Sequence, residues 1–294
     1  MTSLRAALIL AVLIPVTLLI MPLQFLAVKL RLNLRKRIPV IYHRFFCRMI
    51  GARVTMRGTP VSGTVLLAAN HASWLDIPIL SSLHPVSFVA KEDVDGWAFF
   101  GSLARLQETV FVRREARSKV AEDRDVIRER LMAGDALVIF PEGTSTDGNR
   151  VRIFKSALLS AAQLPVGEDA GRNIKHPPVQ PVSIAYVGLH GMPMGRENRP
   201  FFAWYGDMEL LPHLWEALRT GPIDVIVQFH PPLSIDAVGG RKRLAAVAQG
   251  IVQAGLVHAL HGGTAPTHKA QGGALLRGLN EDDDSNSDDD AEAA

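Results

Sequence analysis

Six short apolar runs, at residues 64–69, 86–90, 109–112, 136–140, 179–186 and 224–229, do most to restrict how this chain can fold. Each has the length of a buried strand and is too short to be a helix of its own. Helical patterns lie between them. Residues 116–133 set Val120, Ile127 and Leu131 on one stripe among charges, and residues 241–261 carry a second pattern that stops at Gly262-Gly263. Apolar strands alternating with such helices specify an α/β domain between Gly51 and His261. Residues 165–178 read as a polar connection, and the chain shows no internal repeat.

A different segment precedes this domain. Residues 6–28 hold no charge, and only Thr17 and Gln24 are polar. A helix of that length, rising about 1.5 Å per residue, crosses a hydrocarbon core of about 30 Å. Pro15 and Pro22 interrupt it, so a kinked or half-inserted helix satisfies the pattern as well as a straight span. Lys29, Arg31, Arg35, Lys36 and Arg37 follow at once and point to a cytoplasmic face. The apolar stretch is long for a cleaved signal peptide and no A-x-A-like site follows it, so it reads as an anchor. Residues 38–50 alternate bulky apolar side chains with His43, Arg44 and Arg48. That suits an amphipathic helix in the membrane interface, although a core helix looks similar. The expected organisation is an anchor with an interfacial helix over 1–50, a domain over 51–261 and a tail over 262–294.

Charge is segregated. Eight of the 29 acidic residues lie between Glu281 and Glu292, where the tail, rich in Gly, Ser, Asn and Asp, reads as disordered. Its only cations are Lys269 and Arg277, which leaves 30 cations against 21 acids in the body, a net +9, whereas the whole chain carries +3. A basic body beside an anchor points to anionic lipid or anionic substrates. Nucleic acid is not expected, because no recognition motif or aromatic-basic platform is present. The single cysteine, Cys47, excludes an internal disulfide, fits a reducing compartment and reads as packing in an apolar helix.

Chemistry-bearing residues cluster where the apolar runs end. After the first, Asn70-His-Ala-Ser-Trp-Leu-Asp76-Ile-Pro78 sets a histidine and an aspartate five positions apart. In a regular helix five residues turn the chain by about 500°, so the two side chains would diverge by roughly 140°. They meet only if His71 sits on the turn leaving the strand and Asp76 lies at the helix start. Asn70, Ser73 and Pro78 supply turn, cap and first-turn chemistry for that arrangement. Asp76 would then hold the imidazole in the tautomer that leaves its other nitrogen free as a base. Taken alone, the spacing fits a capped turn with a surface histidine just as well.

Phe140-Pro-Glu142-Gly143-Thr144-Ser145 follows another strand, with a helix expected over 154–162, and exposed amides at such a turn bind anions. It is neither a phosphate loop, since Asn149-Arg150 replaces Lys-Ser/Thr, nor a serine-hydrolase elbow, which needs glycine where Asp147 stands. Arg113 and Arg114 end a third strand with guanidiniums able to grip a phosphate bidentately, or simply to face solvent. Pro181, in Val179-Gln-Pro-Val-Ser-Ile184, marks its strand as an edge or a bulge.

In this order and at these distances, Asn-His-x4-Asp, Phe-Val-Arg-Arg, Phe-Pro-Glu-Gly-Thr and Val-Gln-Pro-Val-Ser-Ile resemble the four blocks of the glycerolipid acyltransferase family. That family includes the 1-acylglycerol-3-phosphate acyltransferases. The resemblance covers residues 50–235 and implies a mixed central sheet flanked by helices, preceded by an N-terminal hydrophobic membrane helix. It implies an acyl donor (acyl-CoA or acyl carrier protein), no cofactor or metal, and a lysolipid acceptor, at the cytoplasmic face of a bacterial-type inner membrane. By the same resemblance His71 is the base and Asp76 its partner. Arg113, Arg114, Glu142, Gly143, Thr144, Ser145 and Pro181 become substrate-binding residues. Two positions depart from the pattern: Glu108 stands where the second block has glycine, and Ser145 where the third has arginine. Residues 190–196 and 203–207 resemble the branch that contains bacterial lyso-ornithine lipid acyltransferases.

The expected reaction is direct acyl transfer to the hydroxyl of 1-acylglycerol-3-phosphate, with lyso-ornithine lipid as the alternative acceptor. No Ser or Cys has the setting of a nucleophile, and a thioester is already activated, so no acyl-enzyme is needed. A membrane lipid-binding protein without turnover is the reading from a different class, and a hydrolase using the same base on water is a third.

Overall fold

The structure, a computed structural model, describes residues 2–112, 120–165, 167–168 and 174–262. Arg113, Arg114 and the acidic tail beyond residue 262 lie outside the described residues. In chain order the elements are α1 (Thr2–Lys29), α2 (Leu34–Ile50), β1 (Ala52–Arg57), β2 (Val65–Ala69), α3 (Asp76–Leu83), β3 (Ser87–Lys91), α4 (Phe100–Leu106), β4 (Val110–Val112), α5 (Val120–Met132) and β5 (Ala136–Ile139). A 3-10 stretch (Ser156–Gln163) follows, then β6 (Gly167–Glu168), β7 (Ile174–Lys175), β8 (Val179–Leu189) and β9 (Met192–Pro193). The described residues end with α6 (Leu210–Thr220), β10 (Ile223–Phe229), α7 (Ile235–Val238) and α8 (Arg241–Leu260).

The main sheet runs β1-β10-β8-β2-β5-β3-β4, with β9 paired to β8. Strands β8, β2, β5, β3 and β4 are mutually parallel, while β10 is antiparallel to β8 and parallel to β1. Helices cover both faces, which is why β2 is buried at all five positions and reads as a continuous apolar run rather than an alternating one. Its side chains still alternate between layers. Val65, Leu67 and Ala69 join Ile79, Leu80 and Tyr186 on one face, while Leu66 and Ala68 join Leu131, Leu244 and Val252 on the other. The mixed sheet between helices agrees with the expected fold class. All six expected strands form, within a residue or so at most ends. The sequence pattern does not reveal β1, because its burial alternates weakly and arginines occupy it.

Pro181 is a correction. Expected at an edge or bulge, it lies in β8, between β2 and β10, in register with Ala68. The missing N–H is replaced from the neighbouring side chain. His230 N–H donates to the Pro181 carbonyl (3.0 Å), and the His230 carbonyl, which Pro181 cannot serve, accepts from the Gln180 amide at 2.8 Å. The strand thus keeps both bonds of the pair, and a proline is tolerated where it usually costs a ladder bond.

Glu108 takes a left-handed backbone conformation (φ 55°) in the turn between α4 and β4, the geometry a glycine adopts without strain. Arg130 donates to its carbonyl at 2.7 Å and Arg35 lies 3.6 Å from its carboxylate, so tertiary contacts hold a conformation that costs about 1–2 kcal/mol.

α1 is long and apolar enough to cross a membrane, and so is α8, but α8 is a core helix packed on β8. α1 runs along the domain against α2, α4 and α6. Ala6, Ile9, Leu13, Thr17, Gln24 and Ala27 are buried on one stripe, and Leu8, Leu19, Leu23 and Phe25 are among the exposed residues of the other. Both ends are tied down. Arg5 donates to the carbonyls of Leu218 and Ile50, and Gln24 to those of Arg35 and Leu106. α2 buries Ile38, Val40, Cys47 and Ile50, and its polar residues His43 and Arg44 bond Ser81 and the Ser82 carbonyl of α3. These two residues therefore tie α2 to α3, while Arg37 and Arg48 are exposed.

Candidate active site

The site forms where β2 and β5, adjacent and parallel, release their chains at the same end of the sheet, the end at which open α/β sheets place their ligands. Asn70 fixes the first turn. Its side-chain amide exchanges two hydrogen bonds with the backbone of Ile184 on β8 (2.8 and 2.9 Å), continuing the ladder for one residue past the strand. His71 comes next, its N–H donating to Glu142 Oε1 (2.8 Å) and its carbonyl accepting from Thr146 N–H (2.9 Å). Both braces come from the turn after β5.

The imidazole Nδ1 lies 2.8 Å from Asp76 Oδ2. His71 sits on the turn and Asp76 is the first residue of α3, the arrangement the spacing demands. Asp76 is fully buried, and its Oδ2 also accepts the N–H groups of Ala72 (2.8 Å) and Ser73 (3.0 Å). The hydroxyl of Tyr186, from β8, donates to Oδ1 at 2.7 Å, and burial raises that phenol well above its ordinary range. A carboxylate with four donors has no freedom to turn. Nδ1 donates to it, so the lone pair of His71 stays on Nε2. The Phe140 ring stacks on the imidazole with centroids 4.0 Å apart, leaving the histidine side chain 17% exposed.

Ser73 does not cap the helix as expected. The capping position is Leu75, and Ser73 Oγ accepts the Leu75 N–H at 3.3 Å and also meets the Tyr186 hydroxyl. Asp76 itself reaches back to the two preceding amides and takes over the task.

Glu142 points inward. Its second oxygen accepts the Arg152 N–H at 2.7 Å, so the carboxylate clasps two turns and both of its oxygens are engaged by backbone. Burial pushes it up to about 7, against the pull of those two N–H bonds. Between pH 4.5, the ordinary value, and about 7 the unfolded chain has released this proton and the folded one retains it. Stability therefore falls as pH rises through that window, by on the order of 3 kcal/mol from this group. Glu142→Gln, which cannot accept both amides, should flatten that slope and lower stability near neutral pH by about 1–3 kcal/mol. Urea unfolding in detergent at several pH values checks both effects, and an unchanged slope would remove Glu142 as its source.

Gly143 turns the chain with φ 77°, and its N–H is bonded to the Phe140 carbonyl (3.0 Å), so that amide is not available to a reacting oxyanion. Thr144 is exposed, and Ser145 donates its hydroxyl to the Trp204 carbonyl. Trp204 N–H in turn donates to the Ala72 carbonyl at 2.8 Å, so a loop near residue 204 lies against the turn that carries His71. Pro181 is not brought to the His71–Asp76 pair by any of these contacts; it serves the sheet. Sequence reasoning missed Tyr186, whose signal was a lone phenol in an apolar strand that needs a partner for its hydroxyl.

Fold and site together define an α/β protein with a histidine held by a buried carboxylate at the end of its sheet. A family model described as Acyltransferase matches residues 52–185. The lyso-ornithine lipid O-acyltransferase of Brucella abortus is 44% identical over 265 residues, covering 90% of this chain and 98% of that one. The 1-acyl-sn-glycerol-3-phosphate acyltransferase of Neisseria gonorrhoeae is 32% identical over 56% of this chain and 58% of its own. The crystal structure of the 1-acyl-sn-glycerophosphate (LPA) acyltransferase PlsC from Thermotoga maritima has the same fold, with TM-score 0.61 and 21% identity over 90% of this chain and all of that one. This chain belongs to the acyltransferase family and is an O-acyltransferase.

Proposed function

We propose that this enzyme acylates the free hydroxyl of a lysolipid in the membrane, with lyso-ornithine lipid as acceptor and acyl-CoA or acyl carrier protein as donor. The observation that carries the reaction is His71 Nδ1 bound to a buried, four-donor Asp76 with Nε2 left over. Nε2 takes the acceptor's hydroxyl proton as that oxygen attacks the thioester carbonyl. Asp76 stabilises the imidazolium, the thiolate leaves with the proton from His71, and an ester replaces the thioester. The reaction needs no acyl-enzyme and no cofactor.

The choice of acceptor is supported by Ser145. It stands where a phosphate-binding arginine is usual, and its hydroxyl is spent on the Trp204 carbonyl. Near full-length likeness to an enzyme named for lyso-ornithine lipid supports it too. The exposed apolar stripe of α1 supports attachment to a leaflet along the helix, with the basic residues from Lys29 to Arg37 on the cytoplasmic side.

Membranes carrying this protein, given a labelled acyl donor and each lysolipid separately, test the reading. Label in ornithine lipid is the expected result. Label in phosphatidate alone would assign the other acceptor. Binding of either lysolipid without product would mean a lipid-binding protein instead.

A further inference from the structure

Two segments beside the His71 turn expose large apolar side chains that the transfer itself does not use. One leads into α4 and carries Trp97 and Phe99, and the other leads into α6 and carries Phe201, Tyr205, Met208 and Leu211, each at least 36% exposed. The segments meet through Trp97 and Trp204, whose rings pack edge-on with centroids 5.9 Å apart. Trp204 is pinned to the site. Its N–H donates to the Ala72 carbonyl, its carbonyl accepts from Ser145, and its indole N–H donates to the Met208 carbonyl at 2.8 Å. In α6, His213 accepts the indole N–H of Trp74, from the same turn as His71, at 3.0 Å. The apolar rim is thus fixed beside His71 by hydrogen bonds and still left exposed.

Exposed apolar side chains gathered in one place mark an interaction surface. What covers this one follows from its neighbours and its charge. The helices that the two segments enter, α4 and α6, both pack on α1, so the rim continues the exposed apolar stripe of that helix. Every charged residue in 92–99 and 201–211 is acidic, and Glu92, Asp93, Asp207 and Glu209 are exposed. The rim therefore does not attract an acidic partner, and contact with it is apolar. Tryptophan and tyrosine among the exposed side chains suit the boundary between headgroups and acyl chains.

We propose that Trp97, Phe99, Phe201, Tyr205, Met208 and Leu211 form a second membrane contact, which enters the interface of the same leaflet as α1 and holds the mouth of the site against it. A lysolipid then reaches His71 with its acyl chain still in the bilayer. This rests on the reading of α1 as lying in a leaflet and adds the surface that aims the site at it. Being apolar, the contact is insensitive to salt, unlike attraction of the basic run from Lys29 to Arg37. Phe201 and Leu211 are each more than half exposed, so losing either weakens the contact by up to about tenfold.

The test uses full-length protein in vesicles of neutral phosphatidylcholine at high salt, with an environment-sensitive fluorophore on Met208→Cys or, separately, on Leu19→Cys in α1. Cys47 is buried and does not compete for the label. Phosphatidylcholine brominated on its acyl chains should quench both labels. Quenching at position 19 without quenching at 208 overturns the proposal and leaves α1 in the leaflet, with the rim facing water or another protein. Quenching at neither overturns both readings, and quenching at 208 alone overturns the shared-leaflet contact. Activity gives a second measure, with whichever lysolipid the wild type acylates. Phe201→Ser combined with Leu211→Ser should lower kcat/KM for that lysolipid in the vesicles by about tenfold or more, mainly through KM, and leave turnover of a water-soluble short-chain analogue unchanged. Equal loss on both acceptors would mean that these side chains support the fold, and would overturn the proposal.

Discussion

His71→Ala should lower acyl transfer by about 10²–10⁴-fold while the protein remains folded and in the membrane fraction. The loss follows from removing the group whose free nitrogen is oriented by a buried carboxylate beside the turn. The fold should survive because the imidazole carries little of it. Without the ring, Asp76 keeps the N–H groups of Ala72 and Ser73 and the Tyr186 hydroxyl, and the His71 backbone keeps Glu142 and Thr146. The checks are product formation at saturating donor and the thermal midpoint in detergent. Wild-type turnover in this variant would remove His71 as the base.

Asp76 should behave differently, because it holds both the proposed base and the surrounding architecture. Asp76→Ala leaves the hydroxyl of Tyr186 and the N–H groups of Ala72 and Ser73 without an acceptor in a region closed to water. Each unmade bond costs about 1–3 kcal/mol, so a loss of several kcal/mol is expected and the variant should be recovered poorly. Asp76→Asn separates the two roles. Its amide oxygen can face the three N–H donors that now reach Oδ2, and its NH2 can face the Tyr186 oxygen, which reverses to accept. The thermal midpoint should then stay within a few degrees of wild type. The charge that stabilises the imidazolium is gone, and activity should fall by about 10²–10³-fold. Equal activity in Asp76→Asn and wild type would mean that the carboxylate orients the ring without contributing charge.

The pairing of His71 with Asp76 is legible in the order of residues. Five positions on a helix separate two side chains, so contact requires a turn followed by a helix start, and the neighbouring Asn70 and Pro78 permit that. The strand that precedes it is legible too, as an apolar run of the right length. Other features of the site are not. Ser73 looks like the cap, and Asp76 performs that function. Glu142 looks like a substrate ligand, yet its oxygens are spent on the backbones of His71 and Arg152. Pro181 looks like an edge residue, and Gln180 allows it between two strands. In each case the deciding contacts are made by backbone or side chains that periodicity does not record.

By itself the sequence determined whatever depends on near neighbours. It specified which runs become strands, the turn that brings a histidine onto an aspartate, and the apolar helix at the start. Backbone sterics and burial periodicity act over a few residues and leave their mark in the order of the amino acids. Only the tertiary structure decided that β8, β2 and β5 lie side by side. That order lets Tyr186 from one neighbour and Glu142 and Phe140 from the other close on His71 and Asp76. It also decided that α1 lies along the domain. Long-range contacts depend on which strands pair, and that is set by the packing of the whole sheet between its two helical layers.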